Sequence, residues 1–168
     1  MLRPERLKEM LDYCPTTGRL VWKPRAGSSR SVRVFNGKFA GKPAGRPGTR
    51  GYWYVKIEQR SYCFSHVVWA LATGSWPQEE IDHIDGDQAN NRLSNLREAT
   101  RAQNGANRGL HKNSRSGVKG VYFSKGRWVA QAGGKGNRVV RYCNSIEEAR
   151  AAYAGAVVSL YGDYARLA

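Results

Sequence analysis

Nineteen glycines, with all six prolines placed before residue 78, cut this chain into short segments, and its longest apolar run is Val67 to Ala72. A chain punctuated so often cannot assemble one large core. Its 168 residues are therefore expected to form two or three very small modules, with five Trp, nine Tyr and four Phe supplying the bulk that small cores depend on. The same short run is far from the length that crosses a bilayer, and no charged-then-apolar leader follows Met1. An intracellular, cytoplasmic protein with no membrane partner is expected. Cys14, Cys63 and Cys143 are odd in number and widely spaced, which suggests neither a disulfide framework nor a zinc site, and they are expected to be small buried hydrophobes.

The net charge of +15 is unevenly spread. Tyr13 to Ile57 holds ten Lys or Arg, Arg50 among them, and no carboxylate; Arg101 to Ile146 holds ten more, again with none. Positive faces of this kind attract a polyanion and release its counterions, so double-stranded DNA is the expected partner. Acids gather instead at Glu79 to Asp87.

Apolar spacing predicts a helix over 2–13, a strand over 19–23, and a long basic loop over 24–50. A hairpin is expected from 51–57 and 61–64, then a helix capped by Ser65 and ended by Gly74. Around Asp82-His83 the order reads strand, outward loop over 85–94, strand over 96–99, and a helix capped by Thr100. Residues 105–116 read as a basic linker. Three strands follow, at 117–123, 127–132 and 138–143, then a helix opened by the Ser145-x-x-Glu148 capping box, whose apolar stripe covers the sheet.

The segment from Asp82 to Asn104 concentrates the chemistry. A hard divalent cation, magnesium or manganese, takes oxygen donors, here the Asp82 carboxylate and the Asn104 amide oxygen, with open positions for water and phosphate. His83, on the other side of the strand, is placed to deprotonate the attacking water, and Asn95 to position the imidazole. Arg92 or Arg97 is a candidate for holding a phosphate. The Gly86-Asp87 region does not have the acid spacing of an EF-hand.

The string Ile81-Asp82-His83-Ile84-Asp85-Gly86-Asp87, Asn90-Asn91-Arg92-Leu93, Asn95-Leu96-Arg97-Glu98-Ala99-Thr100 and Gln103-Asn104 closely resembles the HNH endonucleases, in particular phage-borne homing endonucleases with a ββα-metal site. The resemblance extends upstream through Asn36 to Gly41, Gly51-Tyr52 and Ser65-His66. It implies Asp82 and Asn104 as metal ligands, His83 as general base and Asn95 as the residue orienting it. His66 stands where such proteins often carry His, either contacting phosphate, buttressing the site or packing structurally.

Residues 116–168 carry a second resemblance. Ser116-Gly117-Val118-Lys119-Gly120-Val121-Tyr122, Gly126-Arg127-Trp128-Val129-Ala130 and Ser145-Ile146-Glu147-Glu148-Ala149-Arg150-Ala151-Ala152-Tyr153 resemble the DNA-binding domain of plant ethylene-response-factor (Apetala-type) transcription factors. It implies a sheet in the major groove with a helix behind it, and Lys119, Tyr122, Ser124, Arg127, Gln131, Arg138 and Arg141 as contacts. Trp128 either stacks on the DNA backbone or belongs to the core.

The expected protein is thus α+β: a basic region over 1–60, a small ββα-metal HNH module over 61–108, a linker over 109–115, and a three-stranded antiparallel sheet packed on one helix over 116–168. The activity expected is metal-dependent nicking or cleavage of DNA by a monomer or homodimer. The alternatives are a non-catalytic DNA-binding regulator and an HNH nuclease serving phage DNA packaging or host DNA degradation.

Overall fold

Pro4 sits in the first turn of α1 (Pro4–Met10), where no backbone N–H is needed, and Leu7 and Met10 turn inward. The computed structural model describes residues 2–167; Met1, Ala168 and the side chain of Arg50 lie outside the described residues. Residues 11–13 do not prolong the helix as their spacing predicts. They extend into β1 (Leu11–Cys14), antiparallel to β2 (Arg19–Trp22). Pairing Leu11 with Trp22 and Tyr13 with Leu20 gives these side chains cross-strand partners that another helical turn lacks.

The chain divides into two compact units, Met1–Glu98 and Ala99–Ala168. In the first, the expected basic loop over 24–50 contains a helix, α2 (Arg30–Phe39), which Ser29 opens by accepting from the Val32 N–H. No residue of α2 is fully buried. The helix is held by ring contacts, Trp22 edge-on to Phe35 and Phe35 tilted on Phe39, which explains why so polar a sequence still folds.

β3 (Arg46–Pro47), β4 (Trp53–Ile57) and β5 (Arg60–Cys63) form an antiparallel sheet in that order. The two-residue turn of the β4–β5 hairpin places Glu58 and Gln59 at positive φ. α3 (Phe64–Thr73) begins directly after, with Cys63 rather than Ser65 at its N-cap, and Gly74 ends it in the left-handed region at φ 79°. Val67, Val68 and Ala70 of α3 lie in one core with Leu7, Leu11, Leu20, Val55 and Ile57. Ile81 and Leu96 belong to the same cluster, so the short sheet of β6 (Glu80–His83) and β7 (Leu96–Ala99) is pinned to it.

In the second unit, Thr100 and Gln103 complete a reciprocal capping box at the start of α4 (Arg101–Asn107). β8 (Val121–Ser124), β9 (Arg127–Ala132) and β10 (Val139–Cys143) make an antiparallel sheet with β9 central. Ser145 accepts from the Glu148 N–H to open α5 (Ile146–Tyr161), while the Glu148 carboxylate accepts from Asn144 N–H. Ala149, Tyr153 and Val157, one helical turn apart, meet Val121, Ala130, Ala132 and Cys143. Ala106 of α4 is buried in that same core. Among the described residues, five α-helices and several small antiparallel sheets make a mixed α and β protein.

The three cysteines are free. Only Cys143 is the buried hydrophobe expected. Cys14 is half-buried, and bonds from the side chains of Thr16 and Thr17 bring its thiol down to about 7. Among the described residues no helix is long and apolar enough to cross a membrane.

Candidate active site

Successive strand residues face opposite sides, yet Asp82 and His83 are both buried, at 3% and 5% exposure, so β6 is covered on both faces where it ends. On one side the Arg97 guanidinium, from β7, donates through Nε to Asp82 Oδ2 at 2.9 Å. On the other, His83 Nε2 lies 3.2 Å from Asn91 Oδ1, with the Tyr52 ring edge-on at 6.3 Å between centroids.

The Asn91 amide orients the imidazole. Its Nδ2 donates to Ala89 O at 3.2 Å, which turns Oδ1 toward the ring. An acceptor there makes Nε2 the protonated nitrogen of the neutral imidazole and leaves the lone pair on Nδ1. Asn91 itself is 4% exposed.

Asn95, expected at the imidazole, makes its bonds elsewhere. It lies in the 3-10 turn Leu93–Asn95 before β7, and its side chain donates to Asp85 Oδ1 at 2.9 Å and to Asn90 O at 2.8 Å while accepting from Asp85 N–H at 3.1 Å. The physical reason is the loop between the strands. Ile84 N–H donates to Asn95 O at the ladder's end, and residues 85–94 between them must close back on that point, so the buried Asn95 amide serves as their staple. Asp85 shares in this. Burial pushes its carboxyl up, but bonds from Asn90, the Asp87 N–H and Asn95 outweigh that and hold it below the usual carboxylate range.

The β1–β2 hairpin supports the loop from outside. Tyr13 Oη donates to Asn91 O at 3.2 Å and accepts from Leu93 N–H at 2.8 Å, and Arg92 Nε donates to Thr16 O at 2.7 Å. Gly18, at φ 71°, lies so close that a Cβ would stand 2.7 Å from both Arg92 N and Asn91 C. None of Tyr13, Gly18 or Asn91 was singled out as functional from the sequence; the Thr-Thr-Gly turn and the Asn-Asn pair were its signals. Arg92 and Arg97, the phosphate-holding candidates, are thus engaged with Thr16 and Asp82.

His66 is half-buried on α3, where burial lowers its imidazole's pKa and the Glu80 charge partly offsets this. Asn104 lies on α4 of the second unit.

On the C-terminal sheet, register sorts the expected DNA contacts. Val121, Ala130 and Cys143 face the helix, and so does Trp128, which packs on the core. Tyr122, Ser124, Arg127 and Gln131 share the opposite face. There Gln131 Oε1 accepts from Arg138 at 2.9 Å and from the Tyr122 hydroxyl at 3.3 Å. Tyr142, 69% exposed, is on the same face and was missed because its β-propensity reads equally well as core. Arg141 pairs with Ala130, on the helix-side register. Lys119 turns its ammonium to the carbonyls of Ala106 and Arg166, and burial lowers its pKa. Those carbonyls offset part of its desolvation.

Among the described residues no group of three or more His, Cys, Asp or Glu is placed to hold a metal. The donor β6 itself supplies is hard: the buried carboxylate of Asp82, which here meets the Arg97 guanidinium. Such a donor fits magnesium or manganese, which keep several waters and need few protein ligands.

With this geometry in view, the comparison with known families is decisive for one segment. Residues 62–106 match the model of the HNH endonuclease family. The matched segment takes in α3, β6, the stapled loop, β7 and most of α4. Over 61 residues the chain is 44% identical to Protein 3.8 of Escherichia phage T7, a stretch covering 36% of this chain and 50% of that relative. The match thus spans about half the relative's length. No solved structure matches the chain significantly.

Proposed function

We propose that the chain is a metal-dependent HNH DNA endonuclease of the phage homing type, in which a C-terminal sheet of Apetala-like character selects the target. The observation that carries this reading is the joint burial of Asp82 and His83 at one strand end with Asn91 Oδ1 3.2 Å from the imidazole Nε2. Burying an acid beside an imidazole costs stability, and such pairs persist where chemistry uses them. His83 Nδ1 takes the proton of the attacking water, and Asn95 keeps the loop that carries Asn91 in register. Asp82 and, from the sequence pattern, Asn104 hold the ion. Bound there, magnesium or manganese supplies charge neutralisation at the scissile phosphate.

The Arg97–Asp82 ion pair favours a second reading, a non-catalytic DNA-binding protein in which the guanidinium replaces the cation. Supercoiled plasmid separates the two. We expect relaxation to nicked circles with magnesium or manganese and none with chelator; intact plasmid under both metals establishes the second reading instead.

The targeting role rests on the open face of the sheet. Replacing Arg127 or Arg138 by Gln is expected to reduce the slope of log affinity against log salt by about 1 per lost phosphate contact. Point variants suit this better than truncation at 116, which would strip Ala106 of its core. An unchanged slope in both variants removes the face from DNA binding.

A further inference from the structure

A cavity of about 480 Å³ opens between α2 and β4, within the first unit. Its walls are aromatic, from Trp22, Phe35, Phe39 and Tyr54, and its rim carries the exposed cations Arg25, Arg46 and Lys56. One carboxylate borders it, Glu58, which is ion-paired with Arg6 at 3.4 Å. Its size falls in the range of small-ligand pockets, about 300–1,000 Å³.

Neither packing nor folding explains this arrangement fully. α2 buries no residue completely, and Phe39 remains 38% exposed at the mouth. Arg25 lies over the Phe35 ring at 3.6 Å from its centroid, and its backbone is clamped by the Asn36 amide, which accepts from Arg25 N–H at 2.8 Å and donates to Arg25 O at 2.9 Å. A cation is thus fixed over Phe35, and Lys38 lies over Phe39 at 5.3 Å from its ring centroid, so the cavity already pairs aromatic planes with positive charge. Aromatic faces ringed by cations suit a ligand that is itself an aromatic plane tied to an anion.

We propose that this cavity binds an unstacked nucleobase of single-stranded DNA, with the base against Phe39 and Tyr54 and the flanking phosphates on Arg25, Arg46 and Lys56. Base–aromatic stacking tolerates any sequence, because every base has a π-face, while the cations track the backbone. The inference deepens the nuclease reading: a strand opened near the cut would be held by one of its bases, outside the HNH segment.

The test uses the full chain in chelator, so that no metal-dependent cutting intrudes. Fluorescence anisotropy follows binding of a labelled 12-nucleotide oligothymidine and of its abasic counterpart. We expect wild-type protein to prefer the intact strand about 10-fold, the scale of one base–aromatic stack. Phe39→Leu and Phe39→Ala should remove most of that preference while leaving abasic affinity unchanged. Arg25→Gln with Lys56→Gln, at exposed positions that need not disturb the core, should weaken both strands and flatten the salt dependence.

Equal affinity of wild type for intact and abasic strands overturns the proposal, as does equal weakening of both by the Phe39 variants. Thymidine monophosphate competing as well as the oligonucleotide would overturn the assignment to a strand. These readouts need no cleavage. A protein that fails to nick plasmid yet shows the Phe39-dependent preference keeps this pocket and loses only its nuclease reading.

Discussion

His83→Ala is expected to slow metal-dependent nicking by about 10²–10⁴-fold, the usual contribution of a positioned general base. DNA affinity should be largely retained, since the imidazole is buried and presents little surface to the backbone. The structure adds a second arm. Asn91 sets the tautomer through its Oδ1, so Asn91→Ala should reduce nicking while leaving the ring in place, and Asn91→Asp should shift the pH–rate profile upward by stabilising the imidazolium. Plasmid relaxation under saturating magnesium measures all three. Equal rates for His83→Ala and wild type would remove His83 from the chemistry, and an unaltered profile in Asn91→Asp would assign the base elsewhere.

Gly18→Ala should be the most damaging substitution outside the HNH segment. At φ 71° a side chain is strained, and the new Cβ would overlap the backbone of Asn91 and Arg92 at 2.7 Å, where neither neighbour can rotate away. A strained backbone residue of this kind costs about 1–3 kcal/mol. In a unit of this size each kcal/mol lowers Tm by about 4–8 °C. Nicking should fall further than stability, because the displaced segment carries the amide that orients His83. Gly41→Ala provides the control: its φ is 74° but nothing lies within 4 Å, so it isolates strain from collision. Thermal melts alongside plasmid relaxation decide the matter. Indistinguishable behaviour of the two variants would show that the hairpin does not brace the loop.

Elements whose signals are local were legible in the chain. The β4–β5 hairpin follows from β-formers on either side of a turn over 58–60, though Arg60 pairs with Ile57 and so belongs to the strand, and Thr100 opens α4 through a box that closes within four residues. β9, β10 and α5 likewise carry their own alternation and apolar stripe. α2 was read as loop because its composition is polar and its stabilisation comes from Trp22, outside the helix. The residues of β1 carry no signal of their own because Leu11 to Tyr13 satisfy either period, and only pairing partners seven or more residues away make them a strand.

The candidate site divides along the same line. The order of Asp82, His83 and Asn104, and their suitability for a hard cation and a base, are properties of residue type and spacing. Which amide meets the imidazole is not. Asn91 and Asn95 are chemically identical, and the choice between them was made by Tyr13, 78 residues from Asn91, and by Gly18, which admits the loop only where no side chain stands. The partners of Arg92, Arg97 and Lys119 are likewise acceptors distant in sequence or across a strand. Charge and hydrogen-bonding capacity belong to the residue, so the chain alone determined what kinds of chemistry are available. Distance and burial belong to the packed molecule, and these alone decided which groups are engaged in holding the structure and which stay exposed.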